Sequence, residues 1–321
     1  MKPLGRILWL PVFAAVATFL MVYPLVVGPY LLHLTVGILL AMVLAIAWDL
    51  LARTGQVSVG QAGLFGIGAY TAALLHTRAG VAPLASILLG ILAAVMVAIL
   101  LGAVCLRMRG IYFSIATLSF AEALQVLALM NRPLTGGSMG VSLPPLFGGE
   151  RAGAYYLVLG LAVLAVATAV AVGRSRLHYA FTALRENEDV AGVIGINQTA
   201  YKIAAFAISA AFTGAAGGFY AFYITFIDPA TTFSLGLSLS AMVMPIFGGL
   251  YTVAGPVIGT VLLKAVEEYL RAAVGSGNQI VYGLVLVLVT LFLPRGLVGL
   301  WQDRVGRRYF STRAGRAETA G

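Results

Sequence analysis

The chain has 321 residues, 61% of them apolar and only 10% charged, and its mean hydropathy is +0.99. Its apolar residues occur in runs of about 20, the length that spans a bilayer, so a soluble globular protein is excluded. The net charge of +9 does not indicate a nucleic-acid partner, because the basic residues cluster at the ends of apolar runs and in the C-terminal tail.

Ten apolar runs are candidate membrane-spanning helices. They are 8–27, 30–51, 60–75, 83–106, 111–130, 154–172, 201–226, 236–249, 252–270 and 280–298. The first run follows Lys2 and is longer than the apolar part of a signal peptide, and no A-x-A cleavage site follows it, so we interpret it as a span. The sequence therefore predicts an all-α polytopic membrane protein with about ten helices, within a range of eight to ten.

The positions of basic residues predict the topology. Arg53, Arg107, Arg185 and the tail after Arg295 all lie on the cytoplasmic side only if every run crosses the membrane, including the two short ones. Both termini are then cytoplasmic, and the basic tail 301–321 extends into the cytoplasm.

A Gly- and Pro-rich stretch, 131–153, divides a single transmembrane domain, 1–300, into two halves of about 1–130 and 154–300. The topology places this stretch outside the cell. Each half has five spans, and because five is odd, halves of similar fold would have opposite orientations in the membrane.

The third span of each half is short and interrupted by glycine, and paired broken spans are typical of a central translocation path. Candidate path residues are Ser58, Gln61 and Gly66 at the first short span and Gly248 and Gly249 at the second. Backbone N–H groups at a broken helix can bind a carboxylate. The alternatives are that Ser58 or Thr54 caps the helix and that the glycines only allow close helix packing.

Glu122 lies near the middle of the span 111–130, where an ionisable group costs about 2.5–3.5 kcal/mol. We therefore expect its side chain to face the protein interior or a water-filled cavity, near Thr117, Ser119 and Gln125. It either lines the path or is a packing carboxyl group.

The sequence has no phosphate-binding P-loop, no H-E-x-x-H motif and no C-x-x-C motif, and its three histidines are far apart. We therefore expect no catalytic residue, no metal site and no cofactor bound by this chain. An enzyme or respiratory subunit would need more ionisable groups within its spans, whereas an ion-coupled secondary transporter remains open at this point.

Residues 173–200 form a charged cytoplasmic loop that also carries apolar residues at helical spacing. The apolar positions are Phe181, Leu184, Val190, Ala191, Val193 and Ile194. Asn187 is the expected N-cap of a short helix with Glu186, Glu188 and Asp189 near its start, and Gly195 is placed to end it. An apolar face on an ordered loop favours a docking element over a solvated turn.

Six segments of the chain resemble one known family. They are TGQVSVGQAGLFGIGAYTAALL, RMRGIYFSIATLSFAEALQ, LTGGSMG, ALRENEDVAGVIGINQTAYKIAAFAISAAFTGAAGGFYA, FGGLYTVAGPVIGT and LPRGLVGL. Together they cover about residues 54–300 and resemble the ABC importer permeases of branched-chain amino acid uptake, the LivM type. Gln61 stands where members of the family often have His, and Asp189 stands where small or apolar residues are usual.

The resemblance implies a permease subunit in a bacterial or archaeal inner or plasma membrane. Its implied partners are a second homologous permease, two cytoplasmic ATPases that bind ATP and Mg, and an extracytoplasmic substrate-binding protein. The implied substrates are leucine, isoleucine and valine, with urea, short amides or other amino acids as alternatives. The implied ATPase-coupling residues are Arg185, Glu186, Asn187, Glu188, Ala191, Gly195 and Asn197.

Overall fold

The computed structural model describes residues 19–108 and 110–274, together with residue 283 and residues 296–298. Most of the predicted span 8–27, most of the span 280–298 and the tail 301–321 lie outside the described residues. Residues 19–26 are helical.

Twelve further helices occur within 19–108 and 110–274, together with two very short strands. They are α1 (Pro29–Ala52), α2 (Gln61–Ala79), α3 (Pro83–Cys105), α4 (Ile111–Met130), α5 (Arg132–Thr135), β1 (Val141–Ser142), α6 (Arg151–Arg174), α7 (Arg176–Glu186), α8 (Glu188–Val193), α9 (Gln198–Ile224), β2 (Phe226–Ile227), α10 (Pro229–Thr232), α11 (Leu235–Gly248) and α12 (Ala254–Val274). Short 3-10 helices occupy Gly137–Met139 and Leu146–Gly149.

Six helical stretches of the described chain are long and apolar enough to cross a membrane. They are α1, α3, α4, α6, α9 and the stretch Pro229–Gly248 that joins α10 to α11. The prediction of an all-α polytopic membrane protein is confirmed, and the number of ten spans stays a prediction.

The helix α2 is longer than the short run 60–75 that hydropathy indicated. It continues to Ala79, which gives 19 residues and a length of about 28 Å. Its last turn is polar, but Thr77 donates to the carbonyl of Ala73 at 2.8 Å, and Gly80 ends the helix in the left-handed conformation. Local hydrogen bonds therefore extend the helix beyond the apolar run.

The helix α9 belongs to the second half of the sequence but packs most extensively on α2 and α3 of the first half. Small residues permit the close approach. A Cβ atom on Gly68 would overlap the backbone of Gly214, and one on Gly217 would overlap the carbonyl of Phe65. Such small-residue contacts are typical of membrane helices, where close packing supplies much of the association energy.

The segment 131–153, predicted to be an external loop, is ordered. Its strand β1 pairs antiparallel with β2, which follows α9, so that Val141 lies opposite Ile227. Arg78, at the end of α2, donates to the carbonyl of Leu134 at 3.0 Å. The ends of α2, α4 and α9 therefore meet at one end of the molecule.

Candidate functional site

The predicted coupling segment forms two consecutive helices, α7 and α8, separated by Asn187. The Asn187 Oδ1 atom accepts hydrogen bonds from the backbone N–H groups of Asp189 at 3.0 Å and Val190 at 3.2 Å. Asn187 is therefore the N-cap of α8, as the sequence predicted. Asn197 caps α9 in the same way, accepting from the N–H of Ala200 at 3.1 Å.

The α8 helix ends close to the predicted position. Its last residue is Val193, and Gly195 follows with a φ of +86°, in the left-handed region that glycine adopts at no steric cost. The N–H of Ile196 then donates to the carbonyl of Ala191 at 3.0 Å, which closes the turn.

The apolar residues of this segment divide into two sets. Phe181, Leu184 and Ala191 are buried and hold the segment against the rest of the protein. The second set, which we call the apolar triad, consists of Val190, Val193 and Ile194, whose exposed fractions are 57%, 88% and 67%. An exposed apolar triad on a short, capped helix is a surface suited to a protein partner.

Glu188 and Glu186 have different environments, although the sequence placed them together. The Glu188 carboxylate accepts a 2.6 Å hydrogen bond from the Lys202 ammonium, and the Lys202 side chain is only 3% exposed. Gln198 also donates to the Glu188 carbonyl at 2.6 Å. Glu188 therefore attaches α8 to α9, whereas Glu186 is 72% exposed and pairs with Arg185 at 3.1 Å.

Arg185 faces the membrane-spanning part of the chain, since its side chain is 24% exposed and its guanidinium lies 4.1 Å from the ring centre of Tyr251. Tyr251 lies in the turn between α11 and α12, with a φ of +64° that is uncommon for a residue other than glycine. Burial raises the pKa of its phenol, and the nearby Arg185 charge opposes that shift.

Asp49 and Arg53 form a buried ion pair beneath this tyrosine. The Arg53 Nε atom lies 2.9 Å from Asp49 Oδ2, and the second oxygen of Asp49 accepts from the N–H of Tyr251 at 2.7 Å. The i,i+4 spacing of Asp49 and Arg53 by itself predicts only an ordinary pair at a helix end and does not reveal its remote partners. The sequence also did not identify Lys202 as the partner of Glu188 or Tyr251 as a partner of Asp49.

The two short spans meet in the structure, because the Ser238 Oγ atom of α11 accepts from the N–H of Ala62 in α2 at 2.9 Å. Other donors at this broken helix start are also bonded within the chain. Val59 donates to Thr117 Oγ1 at 3.1 Å, and Gly60 donates to Ser58 Oγ at 3.2 Å. These N–H groups are therefore not available to a substrate carboxylate in this conformation.

Gln61 is fully buried at the start of α2. Its Nε2 atom donates to Ser209 Oγ at 3.3 Å and also to Thr213 Oγ1, both on α9. Its Oε1 atom is buried and has no hydrogen-bond partner among the described residues. Thr54 instead donates to the carbonyl of Leu51 at 2.8 Å, at the end of α1.

The candidate path glycines occupy tightly packed positions. A Cβ atom on Gly66 would overlap the ring of Phe233, and one on Gly248 would overlap the carbonyl of Gly255. Gly249 has a φ of +128° and ends α11. The helices α2 and α11 thus touch at Ala62 and Ser238, and the candidate glycines Gly66 and Gly248 are closely packed in this conformation.

Glu122 lies on the exposed face of α4, in contrast to the expected interior position. Its helix neighbours Thr117 and Gln125 turn towards the protein, the latter donating to the carbonyl of Pro229 at 3.4 Å. Ser119, one turn from Glu122, is exposed as well. The chain itself therefore leaves the side chains of Glu122 and Ser119 uncovered.

Comparison with known proteins identifies the family. The family model described as branched-chain amino acid transport system, permease component, matches residues 30–293. The high-affinity branched-chain amino acid transport system permease protein LivM of Salmonella typhimurium is 31% identical, with 78% of this chain and 66% of that protein aligned. LivM of Escherichia coli K12 is 30% identical over the same shares.

The high-affinity branched-chain amino acid transport system permease protein LivH of Salmonella typhimurium is 28% identical, with 52% of this chain and 58% of LivH aligned. The chain thus spans just under two thirds of the length of the LivM relatives. No solved structure gives a significant match. The family model covers most of the chain and agrees with the LivM relatives, so the chain belongs to the permease components of branched-chain amino acid transport systems.

Proposed function

We propose that this chain is the permease subunit of an ATP-driven ABC importer that carries leucine, isoleucine and valine by alternating access. It binds no cofactor itself, and two cytoplasmic ATPase subunits hydrolyse ATP with Mg. The observation that supports this most strongly is the apolar triad on α8, an exposed apolar surface on a helix that is capped and attached by Glu188.

A second permease subunit covers the exposed side of α4 in this proposal. The supporting observation is Glu122, since an ionisable group within a span should not face lipid. With a partner permease against this face, Glu122 and Ser119 lie at a subunit interface or on the translocation path. The resemblance of the chain to both LivM and LivH supports a pair of related permeases.

The location of the path rests on the contact between the two short spans at Ala62 and Ser238. Ser58, Gln61 and Gly66 lie near Ala62 in the sequence, whereas Gly248 and Gly249 lie at the other end of α11, so movement of α11 relative to α2 would open space along these residues. An extracytoplasmic binding protein delivers the substrate to the opposite end, and the complex lies in the inner or plasma membrane of a bacterium or archaeon.

Two measurements test this function. Co-expression with the cognate ATPases should give a complex that co-purifies in detergent, and a Val193→Asp variant should lose the ATPases while retaining the second permease. A thermal-shift screen of the cognate binding protein should show stabilisation by leucine. Stabilisation by urea or a short amide and not by leucine would show that the substrate assignment is wrong.

An ion-coupled secondary transporter is the alternative from another class. It would need no ATPase, and its α8 would need no apolar surface. Co-purification that is absent for both the parent chain and the Val193→Asp variant would favour this alternative.

A further inference from the structure

The buried pair of Asp49 and Arg53 lies where three parts of the protein meet. The Asp49 and Arg53 side chains are 1% and 5% exposed. Arg53 donates through Nη1 to the carbonyl of Ala169 in α6 at 3.4 Å and through Nη2 to the carbonyl of Thr252 at 3.3 Å. One side chain thus joins the end of α1 to α6 and to the turn between α11 and α12.

A buried ion pair is weak evidence for stability, because desolvation offsets much of the attraction, but it fixes geometry strongly. Here the geometry concerns Tyr251. Its N–H is held by Asp49 at 2.7 Å, and the carbonyl of the next residue, Thr252, is held by Arg53. The turn between α11 and α12 is therefore positioned by α1 from one side.

Arg185 positions the same turn from the other side. Its guanidinium lies over the Tyr251 ring at 4.1 Å, a distance at which a cation and an aromatic ring attract. The end of α7 is also close to the main chain after α1, since a Cβ atom on Gly55 would lie 3.3 Å from Arg185 Cα. Residues of α7 that precede the docking helix α8 thus contact the turn directly.

This turn belongs to a closely packed unit formed by α11 and α12. Gly248 and Gly255 bring the end of α11 and the start of α12 into backbone contact. At its other end α11 accepts from Ala62 through Ser238. A shift of Tyr251 would therefore be transmitted along α11 to the start of α2, where the broken spans meet.

We infer that Asp49, Arg53, Tyr251 and Arg185 form a coupling relay that transmits movement of the α7–α8 segment to the α11–α12 unit. These are positioning residues. The inference rests on the proposed function, in which ATPases move α8. Transmission requires the relay to have different contacts in the two states of the transporter, because coupling between sites is a difference in free energy between states.

The test uses the full complex in proteoliposomes, with uptake and ATP hydrolysis measured on the same preparation. Tyr251→Leu and Arg185→Ala each remove the cation–ring contact, and Tyr251→Phe keeps it. We expect uptake per ATP hydrolysed to fall at least about fivefold in the first two, while hydrolysis continues and Tyr251→Phe stays near the parent value. The double variant should be no worse than either single variant.

Tyr179→Leu is the matched control, since it removes a tyrosine of α7 that is 75% exposed and leaves the contact between Arg185 and Tyr251 intact. Parent-like uptake per ATP in Tyr251→Leu would overturn the relay, because Tyr251 would then transmit no movement. Loss of the ATPases from that variant during purification would also overturn it, because Tyr251 would then act in docking and not in transmission. If the parent complex itself shows no ATP-dependent uptake, the proposed function fails instead, so the two failures are distinguishable.

Discussion

Replacing Glu188 by Gln should detach the docking helix α8 from α9. The Lys202 side chain is 3% exposed and that of Glu188 is 17% exposed, so the substitution leaves a buried ammonium without its carboxylate. Removing one partner of a buried pair costs about 3–5 kcal/mol. Because 1.4 kcal/mol is about tenfold in an equilibrium constant, detachment should become at least about 100-fold more frequent.

Hydrogen exchange of the amides of residues 188–196, measured in nanodiscs, reports this detachment. Glu186→Gln is the control, because Glu186 is 72% exposed and an exposed pair contributes about 0–1 kcal/mol. Glu188→Gln combined with Lys202→Met should restore much of the protection, since no buried charge is then left unpaired. Equal exchange in the Glu188→Gln and Glu186→Gln variants would refute the reasoning.

Three further predictions concern other surfaces. Val193→Asp should weaken ATPase binding at least about tenfold, as measured by titration of the ATPase. The thermal unfolding temperature should not change, because Val193 is 88% exposed and its replacement affects only a surface for a partner. Ser238→Ala should lower stability by about 1 kcal/mol in thermal unfolding, because it leaves a buried N–H of α2 unpaired, whereas Ser240→Ala serves as the comparison. Glu122→Gln should reduce uptake without lowering the unfolding temperature of the isolated chain, since the Glu122 side chain is exposed in that chain. A large drop in the unfolding temperature would show that Glu122 is a packing carboxyl group.

The sequence predicts the described membrane helices well because a span must be apolar over a length set by the bilayer, which is a local property. It also predicts the Asn187 cap, since the side chain bonds the backbone two and three residues later. The extent of α2 was underestimated because hydropathy does not register the polar side chains that bond their own helix.

The site residues were harder to predict because their partners are far apart in the chain. Arg53 contacts Ala169 and Thr252, more than a hundred residues away, and no spacing rule links them. Glu122 lies on a surface that this chain leaves exposed, so no pattern within the chain reveals its final environment. Glu186 and Glu188 look equivalent in sequence, and only the fold places Lys202 beside one of them.

The central claim is that ATP hydrolysis by partner subunits drives transport through this chain. The most direct test is uptake of labelled leucine into proteoliposomes that contain both permeases and the ATPases, with binding protein outside and ATP inside. We predict uptake that requires ATP and the binding protein and is unaffected when sodium and proton gradients are collapsed. Uptake driven by either gradient and indifferent to internal ATP would contradict the account.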